Sequence, residues 1–204
     1  MRRPLTVALA VLAVTLLGAR KDAETVLAAE PPALVERLQE EGLIVLEDVE
    51  GEGESFVVAY VIFPRSRSEV VTLMSQAERQ PEYRPELKSV KTVRELENGR
   101  IDEQTLKILF RKLVYRLRYH VDPETGRIEW KLDLDFDNDM RRLDGFWELY
   151  EFTEGRRTLG RFGSNVDVGG GVPKFVQKGM SRKTVLRYLK NFRQWVESDG
   201  EWRP

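Results

Sequence analysis

Two consecutive stretches of this chain alternate with period two, and together they restrict the fold more than any other feature. In RKLVYRLRYHV, Leu113, Tyr115, Leu117, Tyr119 and Val121 fall on one face, with Arg116, Arg118 and His120 on the other. After the turn-like DPETG at 122–126, Ile128, Trp130, Leu132, Leu134 and Phe136 alternate with Glu129, Lys131, Asp133, Asp135 and Asp137. Such patterning predicts adjacent antiparallel strands with one apolar face that something must cover. The only long amphipathic segment available is the last one. Pro173 opens a helix reaching about Glu197, and Phe175, Val176, Met180, Val185, Leu189, Phe192 and Val196 supply its apolar stripe.

The remaining elements fit around this pair. Residues 32–41 have helical spacing and end at Gly42, and 43–49 and 56–63 read as strands around GEGE. The second of these is apolar on both faces, so it is expected to be covered on both. Ser66 and Glu69 form a capping-box signature for a helix to about Gln80, where Pro81 and Pro85 interrupt the pattern. Asn98-Gly99 is the strongest hairpin signal in the chain. The stretch 100–121 is too long for one regular strand and requires a bend or a bulge near Arg111-Lys112. Further strands are expected at 146–152 and 157–168, turning at Glu154-Gly155. The predicted class is α+β: a curved antiparallel sheet wrapped around a long C-terminal helix.

Composition excludes several functions. The 204 residues contain 33 basic and 34 acidic side chains, a balance unlike that of proteins that neutralise nucleic-acid phosphates. With no cysteine, disulfides, thiolate metal sites and a cysteine nucleophile are impossible. One histidine, His120, cannot build a histidine metal site, and it falls on a polar strand face. The acidic run DLDFDNDM lacks the glycine and glutamate of a calcium loop; its alternation reads as the solvent side of a strand paired with neighbouring basic strands. No catalytic residue, metal or cofactor is therefore assigned. The N-terminus, with Arg2, Arg3 and an apolar run at 5–17, has the form of a secretory signal or an uncleaved anchor at 1–19. It implies an exported, periplasmic or secreted protein. Residues 20–31 read as a spacer, and 32–204 as one domain.

The Gly-rich DVGGGVPKFVQKGM lacks the spacing of a phosphate-binding loop. It reads instead as a joint, with Gly169, Gly170, Gly171 and Val172 releasing the chain and Pro173 suited to a first helical turn. Lys174, Lys178, Arg182, Lys183, Arg187, Lys190 and Arg193 make the terminal helix basic. That is either a solvated face or a guide to peripheral contact with an anionic membrane.

From about Phe56 to Glu197 the order of these pieces resembles the START-like (SRPBCC) superfamily, with its polyketide cyclases, coenzyme Q-binding proteins and lipid-transfer domains. The resemblance is carried by IFPRSRSEVVTLM, the proline-punctuated AERQPEYRPELKSV, YRLRYHVDPETGRIEWKL, DGFWELYEF and the strand, Gly-rich loop and Val-Pro helix opening. It implies the helix-grip fold and a hydrophobic cavity between sheet and terminal helix. Alternation and resemblance together point to Tyr115, Tyr119, Trp130, Trp147, Phe162, Phe175 and Met180 as ligand contacts, with residues 169–173 as a gate. The expected partner is a hydrophobic small molecule or lipid, held by a monomer. An aromatase/cyclase-like enzyme and a protein-interaction module with a dry core are the alternatives.

Overall fold

The computed structural model describes residues 22–204 apart from 52–53, 109–110, 123 and 169–173, and the side chains of 47–56, 108–110 and 169–182 are also outside that description. Among the described residues, eight antiparallel strands form one sheet: β1 (Leu43–Gly51), β2 (Glu54–Phe63), β3 (Leu87–Leu96), β4 (Gly99–Ile108), β5 (Arg111–Val121), β6 (Ile128–Leu132), β7 (Arg142–Phe152) and β8 (Arg157–Asp167). Their spatial order is β1-β2-β8-β7-β6-β5-β4-β3. Four α-helices accompany them, α1 (Ala23–Ala28), α2 (Pro32–Glu41), α3 (Arg67–Ser75) and α4 (Lys174–Glu197). This is the expected α+β helix-grip architecture.

Local chemistry explains most boundaries. Gly42 closes α2 in the left-handed region at φ 71°, where a Cβ would also meet the Arg193 guanidinium. Ser66 caps α3 and Glu69 returns the bond, completing the capping box. That helix ends at Ser75 rather than near Gln80, and a 3₁₀ segment (Ala77–Glu82) carrying Pro81 takes over. The Asn98-Gly99 signal does mark a hairpin, but its loop is Glu97-Asn98, one residue earlier than an Asn-Gly loop, and Gly99 already pairs with Leu96.

Two strand expectations are corrected. Residues 100–121 are not one bent strand but a hairpin in which β4 and β5 pair from Gly99↔His120 to Ile108↔Arg111. No Gly, Pro, Asn or Asp stands at 108–111 to announce the reversal. The second alternating run also stops early: β6 ends at Leu132, and Leu134 is 88% exposed. Asp133, expected in solvent, is buried instead, 2.8 Å from Arg118. Beyond it, Asn138 and Asp139 accept from the backbone N–H groups of Arg116 (2.8 Å) and Val114 (2.7 Å). These side chains satisfy the β5 edge where a neighbouring strand is missing.

The concave face of the sheet carries the main core. Ala59, Val61, Phe63, Trp147, Leu149 and Phe162 pack there against Val185, Leu189, Phe192, Trp195 and Val196 of α4. Strand β2 is covered on both faces, as predicted, because Tyr60 and Ile62 join Leu159 in a second cluster on the convex side. That cluster is closed by Leu38 of α2 and by Ala23 and Leu27 of α1. Residues 22–31, read from sequence as a spacer, are thus folded onto the sheet, and Tyr60 donates its hydroxyl to Glu30 at 2.6 Å. The signal-like residues 1–19 and the Gly169–Pro173 joint lie outside the described residues.

Candidate functional site

A cavity of about 220 Å³ lies between the concave face, α3 and α4. The side chains around it leave this space unfilled. The cavity is smaller than the roughly 300–1,000 Å³ common for drug-sized ligands.

Its apolar wall is a run of aromatic rings. Tyr119 and Trp130 have centroids 6.3 Å apart, Trp130 and Phe162 5.7 Å, Trp147 and Phe162 5.0 Å, and Phe162 and Tyr188 5.7 Å. Strand alternation puts these rings on one face, since Tyr119↔Trp130 and Trp147↔Phe162 are directly opposed pairs. Glycines make room for the indoles. Trp130 occupies the space a side chain at Gly145 would need, and Phe63 and Trp147 crowd the corresponding space at Gly160.

Four of the residues singled out from sequence, Tyr119, Trp130, Trp147 and Phe162, line this cavity. Tyr115 does not; it is fully buried beside it, donating to Gln104 Oε1 at 3.0 Å. The side chains of Phe175 and Met180 lie outside the described residues. His120 is exposed on the opposite face from the cavity-lining Tyr119. Of the basic helix residues, Lys183, Arg187 and Lys190 are exposed. Arg193 is half-buried and donates Nε to the Ile62 carbonyl at 2.9 Å, so it secures α4 to the sheet rather than facing solvent freely.

Sequence reading missed the polar part of the wall. It holds acids to point outward, yet Asp102 of β4 is fully buried facing inward, bonded to Thr92 (2.8 Å) and Arg100 (2.9 Å). Arg100 in turn lies 5.2 Å from the centre of the Tyr119 ring. Gln104 bridges two tyrosines, accepting from Tyr115 and approaching the Tyr119 hydroxyl with Nε2 at 3.1 Å. In GRIDEQTLKI neither face of the strand is apolar, so no alternation identifies the inward residues.

Arg84, set between Tyr83 and Pro85, enters the cavity from the segment leading into β3. Its Nη1 donates to Gln80 at 3.1 Å and its guanidinium lies 5.1 Å from the Tyr188 ring centre. Its buried Nε has no hydrogen-bond partner among the described residues. Glu86 is also in the wall, with Oε2 3.5 Å from Arg187, an ion-pair distance without hydrogen-bond geometry. Burial raises the hydroxyl pKa of Tyr83, Tyr115, Tyr119 and Tyr188, which keeps all four protonated at neutral pH. The wall therefore offers hydroxyl donors, guanidinium charge and one carboxylate, that of Glu86.

No family model matches the chain, and no curated protein matches it significantly in sequence. Solved structures do match in fold. A START superfamily protein from Mycobacterium smegmatis superposes with a TM-score of 0.60 at 19% identity, covering 70% of this chain and 97% of that one. A STAR-related lipid transfer protein from Xanthomonas axonopodis gives 0.58 at 16% identity, covering 76% and 98%. A Streptomyces aromatase/cyclase gives 0.56 at 12% identity, covering 70% and 93%. At these identities the likeness establishes the START-like fold.

Proposed function

We propose that this chain, which has the helix-grip fold of START-like proteins, is an exported, noncatalytic binding or transport protein for a hydrophobic small molecule or lipid. The observation that carries the reading is the aromatic cavity between the sheet and α4, bounded by Tyr119, Trp130, Trp147, Phe162 and Tyr188. Binding would be driven by apolar area removed from water, about 25 cal/mol per Å² before ordering costs. The similar folds of a lipid transfer protein and a START superfamily protein support the partner class. Export rests on Arg2, Arg3 and the apolar run that follows them.

An aromatase/cyclase-like enzyme is the second reading, favoured by the inward polar groups of β4. Against it, Asp102 is engaged by both Arg100 and Thr92, and the buried tyrosines hold their protons. The carboxylate left in the wall for general-base work is Glu86, which stands 3.5 Å from Arg187.

The test is native mass spectrometry of the protein purified from the extracytoplasmic fraction, followed by organic extraction. A discrete co-purifying lipid or small apolar molecule is expected. A ligand-free mass that stays unchanged after incubation with an extract of the host's lipids would overturn the reading.

A further inference from the structure

We infer that the cavity selects amphiphiles with a single acidic oxyanion head, a carboxylate or a phosphate monoester, placed against Arg84. This inference rests on the binding function proposed above and specifies the ligand's polar end.

The argument is a charge balance over the cavity wall. The two other ionic side chains in the wall have partners: Arg100 is matched by Asp102 at 2.9 Å, and Glu86 faces Arg187 at 3.5 Å. Arg84 makes no ion pair among the described residues, although Glu86 stands in the same wall, and its direct contacts are neutral. They are the Gln80 carbonyl at 3.1 Å, the Tyr188 ring and the nearby tyrosine hydroxyls. An arginine stays charged under all ordinary conditions, so the wall carries one unmatched positive charge. Its unpartnered Nε adds a donor with nothing to donate to. Water filling the cavity would solvate the donor without matching the charge.

An acidic head answers both deficits. A carboxylate or phosphate oxygen accepts from a guanidinium by a charge-assisted bond, and its charge completes the pairing. The Tyr119 hydroxyl and Arg100 stand in the same wall and define the polar end of the cavity. The rings of Trp130, Trp147 and Phe162 are left for the apolar body.

The experiment is calorimetric titration of the folded protein at pH 7.5 with octanoate, octyl phosphate and octan-1-ol. At least one acid is expected to bind about tenfold or more tightly than the alcohol, as one charge-assisted bond implies. Whichever acid is stronger assigns the head as carboxylate or phosphate. Arg84→Met is expected to erase the preference for acids, and Arg84→Lys to retain part of it. Equal affinity for all three, or a preference that survives in Arg84→Met, overturns the acidic head while leaving a hydrophobic ligand intact. No binding by any of the three overturns both. If Arg84→Met does not fold, the comparison on the unaltered protein still decides.

Discussion

Trp130 lies over Gly145, its indole filling the volume that a side chain on the neighbouring strand would take. The two residues face each other directly across β6 and β7. Hydrogen at position 145 is therefore what lets a large ring lie in the cavity wall. Gly145→Val is expected to press on both the Trp130 ring and the Gly163 carbonyl, each closer than 3.0 Å to the added Cβ, lowering stability by about 1–3 kcal/mol or more through overpacking and weakening ligand binding. Chemical unfolding monitored by tryptophan emission, with a parallel ligand titration, checks both effects. Wild-type stability with wild-type binding would mean that Trp130 does not occupy this space.

The junction of the 3₁₀ segment with the end of α4 is expected to be acid-sensitive. Burial alone would raise the Glu82 carboxyl pKa, but bonds from Arg79 and Trp195, aided by the charge of Arg203, hold it below its ordinary value. A carboxyl depressed in the folded state stabilises above its unfolded pKa and loses that contribution as pH falls through the folded one. The loss thus begins near the ordinary value of 4.5 and continues below it. Glu82→Gln is expected to cost on the order of 1 kcal/mol at neutral pH, discounted for partial exposure, and to flatten the acid limb. Urea midpoints measured from pH 7 to pH 3 would show this; parallel curves for the two proteins would contradict it.

Much of the fold is legible because two physical signals are strong. Alternation in 113–121 and 128–132 sets strand faces, and Gly42, Asn98-Gly99 and the Ser66/Glu69 box mark where elements begin or end. The aromatic wall follows in part, since Tyr119 and Trp130 occupy inward positions of those strands, and Trp147 and Phe162 are an opposed pair on β7 and β8. The polar wall does not follow. Strand β4 is polar on both faces, and Arg84 sits between two prolines in a segment with no period to orient it. The β4–β5 reversal was equally hidden, as none of the residues around it prefers a turn. Residues 22–31 look like a linker because one short helix contributes just Ala23, Leu27 and the partly buried Val26 to a face shared with α2.

The helices on the convex face are expected to be structural. Leu38 is fully buried beneath α2, and Leu27 nearly so beneath α1. Leu38→Ala should cost about 2–5 kcal/mol and Leu27→Ala toward the lower end of that range. Thermal melts of both variants test this. An unchanged melting temperature for Leu27→Ala would return residues 22–31 to the status of a spacer.

The account's central claim is that the cavity beside Trp130 and Trp147 receives the ligand, and fluorine NMR of 5-fluorotryptophan-labelled protein tests it most directly. The chain has four tryptophans. Trp130 and Trp147 line the cavity, Trp195 is buried one ring behind the lining residues Tyr83 and Phe192, and Trp202 follows the helix. With resonances assigned by single Trp→Phe replacements, titration with octanoate or octan-1-ol is expected to shift Trp130 and Trp147 more than Trp195, and to leave Trp202 in place. Saturable binding that moves only Trp195 or Trp202, or none of the four, would contradict the claim.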